Sequence, residues 1–176
     1  ILIMADYGTN ALNSITSPIW DNYCVSDNIY GDVDADDMPD IAMARMTANN
    51  AVQLETYVRK FIDYEKAPPT DPYFYLHPIT ALGWQTERWF QICSEVVGGY
   101  FKYGLGKEPI RINAVYEGNP DVDPWSTASN TNTVLNYFGP NGLGYIPATP
   151  QGLGDWDGGN ANMVNANLNL GAFILQ

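Results

Sequence analysis

The chain has 176 residues, 45% of them apolar, with 20 acidic against 8 basic side chains and a net charge of −12. This size and apolar content suit one domain with a sizeable core, and the acidic balance excludes nucleic acid and anionic membrane surfaces as natural partners. No stretch approaches the roughly 18 continuous apolar residues of a membrane span, and Ile1 to Ala5 lacks the charged start and cleavage site of a signal peptide, as expected for a mature or trimmed product.

Ile1 to Ala5 is a continuous apolar run, the pattern of a strand buried on both faces, ending in Asp6. A polar segment leads to an aromatic edge pairing over Ile19 to Val25 and then to an acidic loop. Ile41 to Arg45 reads as the next strand. Thr47 can cap a helix to about Lys66, with Leu54, Tyr57, Val58, Phe61 and Ile62 on one face, and Pro68 and Pro69 stop it. Tyr73 to Leu82 is β-rich, with Pro78 at an edge or bulge. Thr86 can cap a second helix to about Phe101, with Trp89, Phe90, Cys93, Val96 and Val97 inward, and Gly98 with Gly99 weakening its last turn. Ile110 to Tyr116 alternates as a strand, and a polar helix fits between Ser129 and Phe138. The stretch from Gly139 to Gly159, rich in Gly and Pro, is long enough to be a functional or ordering loop. A short helix fits Asn160 to Asn169, and Gly171 to Leu175 reads as a buried strand. Strands alternating with helices predict an α/β fold, a mostly parallel sheet with helices on both faces, whose ligands bind at the carboxyl ends of the strands.

The most distinctive stretch is Asp32-Val-Asp-Ala-Asp-Asp-Met-Pro-Asp40. So many neighbouring carboxylates repel one another unless a cation sits among them, and the only basic side chain close behind is Arg45. Asp34, Asp36 and Asp40, with the backbone carbonyl of Met38, can supply much of a Ca2+ shell. The loop is not an EF-hand, since Asp37 and Met43 stand where that motif needs Gly and Glu. A solvated acidic turn is the plainer alternative. Low lysine content, abundant Asn, Tyr and Trp and a calcium-type loop suit a secreted or cell-surface protein, because free calcium is high outside cells.

No nucleophile and base pair stands out. His77, the sole histidine, lies in a predicted strand and reads as a packed or surface residue. Cys93 sits among large apolar side chains as a core thiol, and Cys24 also reads as structural; the two can form a disulfide or remain free. There is no internal repeat, zinc motif or phosphate-cradling glycine loop.

The stretch Asp34-Ala-Asp-Asp-Met-Pro-Asp-Ile-Ala-Met-Ala-Arg-Met-Thr-Ala48, followed by a helix ending Tyr64-Glu-Lys66, resembles the catalytic domain of the gingipain family of cysteine endopeptidases. The resemblance implies a caspase-like α/β fold. It further implies a calcium site made by Asp6, Asp34, Asp36, the carbonyl of Met38, and Asp40, which stands where the family has Glu and so reaches one methylene less far. Gly171-Ala-Phe-Ile-Leu-Gln176 resembles the strand that runs into the family's catalytic His-Gly. On this resemblance the chain is the N-terminal part of the peptidase domain, and a downstream segment or second chain carries both His and Cys. The segment Gly83-Trp-Gln-Thr-Glu-Arg-Trp89 would help build the substrate pocket, with Trp84 and Gln85 as walls and Glu87 selecting a basic side chain. In the plainer reading Glu87 is only a first-turn acid favoured by the helix dipole. The loop containing Tyr145, Asp155, Trp156 and Asp157 departs from the family's compact pattern and would roof the cleft, bind a cation, or do neither.

Two functions follow: a secreted, calcium-stabilised cysteine endopeptidase acting on protein or peptide substrates, or a catalytically inactive, calcium-stabilised cell-surface binding module.

Overall fold

The structure, a computed structural model, describes residues 1–8, 10, 12–20, 24–83, 85–113, 122–153 and 159–176. It divides into two compact units, Ile1–Pro69 and Thr70–Gln176.

In the first unit, strand β1 (Leu2–Met4) is followed by an antiparallel pair, β2 (Ile19–Trp20) with β3 (Cys24–Val25), a 3-10 turn over Asp27–Gly31, strand β4 (Ala44–Met46) and helix α1 (Ala51–Lys66). Strands β1 and β4 run parallel, with Ile3 opposite Arg45. The expectation of a first strand buried on both faces is corrected: Ile3 and Ala5 are buried, whereas Leu2 and Met4 are about half exposed. A short ladder covered on one face leaves alternate side chains outside, whatever their polarity. The expected start of α1 is also corrected. Asn50, not Thr47, caps it, its side chain accepting from Gln53 N at 3.0 Å, while Gln53 Oε1 accepts from Asn49 N at 2.8 Å. This reciprocal pairing resembles a capping box and uses a Gln that the Thr47 reading leaves idle. The apolar stripe of α1 is largely uncovered, with Tyr57, Phe61 and Ile62 all exposed.

In the second unit, helix α2 (Pro72–Leu76) precedes strand β5 (Ile79–Leu82), so the single β-rich run expected from Tyr73 to Leu82 is split. Asp71 accepts from Tyr73 N at 2.9 Å and Pro72 pre-sets the backbone, a helix-start signal that outweighs the aromatic content. Helix α3 (Trp89–Gly99) runs on through a π turn (Tyr100–Gly104) to strand β6 (Ile110–Asn113), which pairs parallel with β5, Thr80 opposite Arg111. Helix α4 (Thr131–Phe138), a 3-10 turn (Pro150–Leu153) and helix α5 (Ala161–Leu170) complete the order. Leu175 bridges to Ile79 in parallel sense, and Ala81 N donates to Gln176 O at 2.8 Å, so the last residues lie along β5. The pairing expected there exists, but Phe173, Ile174 and Leu175 are exposed rather than buried. The second half of the strand expected over Ile110 to Tyr116 lies outside the described residues. The fold is thus α/β with short parallel ladders.

Helix α3 has two buried faces of different character. Trp89, Ile92, Cys93 and Val96 pack with Trp125, Val134, Leu135, Phe138 and Ile146, forming the apolar core of this unit. Phe90, expected inward, is exposed. The other face carries Gln91, Ser94, Glu95 and Gly98, all buried. Across from it, Asn113 Nδ2 donates to Glu95 at 3.0 Å, Arg111 Nε lies 3.5 Å from the same carboxylate, and the Thr80 side chain approaches Gly98. Past Gly99, the last residue of α3, the backbone stays helical into the π turn. A Cβ on Gly99 would fall 2.1 Å from the Tyr145 carbonyl oxygen, so glycine lets the 139–147 segment press against α3.

Candidate functional site

The acidic loop closes at its neck, where Gly31 O accepts from Asp40 N at 2.9 Å and Ile41 N at 3.1 Å. Glycine is required at that neck, because a Cβ on Gly31 would sit 2.6 Å from Ile41 O. Asp32 organises the turn: its carboxylate accepts from the backbone N–H groups of Ala35, Asp36 and Asp37. Asp40 Oδ2 accepts from Val33 N at 2.8 Å, and Asp36 Oδ1 from Met38 N at 2.9 Å. Ala35 and Asp37 take left-handed backbone, φ 63° and 69°, at roughly 1–2 kcal/mol each. Trp20 Nε1 donates to Asp37 at 3.3 Å, joining the β2–β3 hairpin to the loop.

Carboxylate oxygens of Asp32, Asp34 and Asp40 lie within 4.8 Å of one another. Oxygens on opposite sides of a Ca2+ ion, each bonded at about 2.3–2.6 Å, have nearly that separation, and a hard cation takes such an all-oxygen set. The donor set fits calcium. Of the residues named from sequence, Asp34 and Asp40 belong to this group. Asp36 turns to its own loop backbone, and Asp6, whose Oδ1 accepts from Tyr7 N at 2.8 Å, is outside it. Asp32, which the sequence reading does not name as a donor, joins this group, and its place at the head of the acidic run is the available signal.

Arg45 does not neutralise the loop. It makes two 2.6 Å bonds to Asp27 and donates to the carbonyls of Ala5, Asp6 and Ile15, while Ser17 Oγ bridges it to the same carboxylate. The hydrogen bonds from Arg45 hold the Asp27 carboxyl below its ordinary value against the opposing effect of burial, and the same bonds raise Arg45. Among the described residues the ion pairs of this unit are Arg45 with Asp27 and Arg59 with Glu55, so the carboxylates from Asp32 to Asp40 have none.

In the second unit, the loop after β5 carries the residues expected to shape a substrate pocket. Gln85 is a helix cap: its Oε1 accepts from Trp89 N at 2.7 Å, a role assigned from sequence to Thr86. Its amide nitrogen donates to Glu87 Oε2 at 3.2 Å. The Glu87 side chain is exposed, while its carbonyl is held by Thr127 N and Ser126 Oγ. Arg88 has left-handed φ 56°. Trp84, with Asp155, Trp156 and Asp157, lies outside the described residues. Tyr145 packs beside Tyr100 and Phe138.

Both cysteines are free, and burial pushes the Cys93 thiol up, the opposite of what a nucleophile needs. His77 stacks on Tyr73 with ring centroids 3.9 Å apart and engages Tyr73 O and Glu108 through its two nitrogens, a structural role.

Searches of curated proteins and of solved structures return no match. The sequence profile of peptidase family C25 matches residues 4–144, a span that includes the acidic loop, Arg45, α1 and the Gln85–Glu87 loop. The chain therefore belongs to peptidase family C25, the gingipain family of cysteine peptidases.

Proposed function

We propose that this chain is the sheet-bearing part of a secreted, calcium-stabilised cysteine endopeptidase whose histidine and cysteine come from a downstream segment or a second chain. Besides family membership, one observation carries this reading: residues 174–176 lie parallel along β5, which leads into the loop bearing Gln85 and Glu87. A segment continuing in that direction reaches the carboxyl edge of β5, where parallel sheets bind ligands. A histidine there would act as general base toward a cysteine on a neighbouring strand, with backbone N–H groups stabilising the oxyanion. Glu87, exposed and oriented by Gln85, would pair with a basic substrate side chain preceding the scissile bond. Asp32, Asp34 and Asp40 would hold Ca2+, with Asp6, Asp36 and the Met38 carbonyl closing on it only after local rearrangement. The bound ion would supply charge neutralisation and crosslinking of the loop. Gingipain-family peptidases are generally extracellular or surface-associated, which supports the secreted location.

The test uses the complete protein and peptides with Arg, Lys or a neutral residue before the scissile bond. Replacing the cysteine of the downstream segment should abolish cleavage. Glu87→Gln should lower the preference for basic over neutral peptides by roughly twofold to fivefold, a modest factor because the carboxylate is solvated. Cleavage that survives loss of the cysteine would overturn the enzymatic reading, whereas an unchanged preference in the Glu87 variant would overturn only the specificity assignment.

A further inference from the structure

A recess lies in the Thr70–Gln176 unit, near the amino ends of the strands and so at the opposite edge from Glu87. Its volume is about 610 Å3, a size typical of small-molecule sites. Thr80 and Arg111, cross-strand neighbours near the starts of β5 and β6, form its floor. Helix α3 contributes Glu95 and the bare backbone of Gly98 and Gly99, and the π turn contributes Lys102 and Tyr103. Tyr145 and Pro147, both partly exposed, supply its apolar side, while the Ile146 side chain is buried in the core.

The charges in this recess are unequal. Glu95 is 8% exposed, and its carboxylate is engaged by Asn113 at 3.0 Å and Arg111 at 3.5 Å. Lys102 has no carboxylate partner among the described residues, and its ammonium lies 5.2 Å from the Tyr103 ring centroid. Among the described lining residues the acid, Glu95, is already held by Asn113 and Arg111, so Lys102 is the cation left to meet an anion, in a chain of net charge −12. Lys102, on the π turn, and Tyr145, packed beside Tyr100 of the same turn, line one recess, so an anion at Lys102 lies within reach of that ring.

We propose that this recess binds a carboxylate attached to an apolar or aromatic body, its anionic end at Lys102 and its body against Tyr145 and Pro147. Such a group can come from a free small acid or from the C-terminus of a peptide. Position at the amino edge makes this a site separate from the proposed substrate pocket, and its occupancy is measurable without catalysis.

The test is calorimetric titration of the intact protein with two pairs of probes: 3-phenylpropionate against its primary amide, and N-acetyl-Gly-Phe as the free acid against its amide. The acid of at least one pair should bind about tenfold or more tightly than its amide, the effect of one charge-assisted hydrogen bond. Binding of 3-phenylpropionate alone identifies a free acid as the ligand, whereas binding of the peptide acid identifies a chain terminus. Lys102 is exposed, so Lys102→Gln should fold normally and lose most of that preference, Lys102→Arg should retain it, and Lys60→Gln on α1 should leave it unchanged. Absence of binding by both acids, equal binding of acid and amide, or undiminished preference in Lys102→Gln would each overturn the proposal.

Discussion

Replacing Arg45 with Met tests what holds the first unit together. The change removes both bonds to Asp27 and the donor shared by the carbonyls of Ala5, Asp6 and Ile15, leaving the carboxylate with Ser17 alone. Breaking a fully enclosed ion pair from one side costs about 3–5 kcal/mol. The Asp27 side chain keeps 20% of its surface exposed, against 9% for Arg45, so water recovers part of that loss and the expected cost is about 3 kcal/mol. Set against a typical stability of roughly 5–15 kcal/mol, this is a large fraction. The assay is urea denaturation by circular dichroism, with hydrogen exchange at the β1 and β4 amides, since the two units can open separately. Combined with Asp27→Asn, the double variant should cost less than the sum of the single changes, a coupling of about 1–3 kcal/mol. Because Asp27 titrates below its ordinary value of 3.8, the pair's contribution is full above that value and disappears as pH falls through the folded pKa. The penalty of Arg45→Met must therefore shrink in strong acid. A cost under about 1 kcal/mol at neutral pH, or one independent of pH, would refute the assignment of Arg45 as the organising hub.

Neighbouring glycines of α3 should respond in opposite directions. Gly98→Ala meets only the Thr80 side chain at 4.0 Å and should stabilise by about 0.5–1 kcal/mol, whereas Gly99→Ala drives a methyl into the Tyr145 carbonyl and should destabilise by about 1–3 kcal/mol; thermal melts distinguish them. Burial pushes the Glu95 carboxyl above its ordinary 4.5, so its contribution is full below that value and is lost as pH rises through the folded pKa. Glu95→Gln should therefore gain on the wild type as pH increases in denaturation profiles, and parallel profiles would contradict this. For the acidic loop, chelation should lower the unfolding midpoint, with 100-fold excess Ca2+ over its dissociation constant worth about 2.7 kcal/mol, and Asp32→Asn with Asp34→Asn should erase the difference.

The sequence made these elements legible to different degrees, for physical reasons. Helix α1 was visible because its apolar spacing and terminal prolines are local signals, but its cap was misplaced because Thr47 and Asn50 are both competent and the Gln53 pairing decides between them. Asp71-Pro72 opened a helical turn inside an aromatic run that reads as strand by composition alone. In the acidic loop, Asp34 and Asp40 were legible by charge density. That Asp32 joins the three-carboxylate group and Asp36 does not goes with left-handed turns at Ala35 and Asp37, which sequence spacing does not encode. Gln85 reads from sequence as a pocket wall, and its capping bond to Trp89 accompanies a left-handed Arg88 that the sequence does not signal.

The polar seam between α3 and the β5–β6 ladder has a mechanical consequence. An apolar seam tolerates small sliding because dispersion is non-directional, but Glu95 must meet Asn113 and Arg111 at defined angles. Turning α3 by one residue, about 100°, or shifting it by about 1.5 Å would leave that carboxylate buried among the wrong groups. The seam therefore indexes the helix against the strands. Through the Gln85 cap at its first turn, and the Ser126 and Thr127 bonds to the Glu87 carbonyl, the same indexing fixes where the Glu87 side chain begins. The reach of that exposed carboxylate is thus set from inside the protein, several residues away from any substrate it would meet.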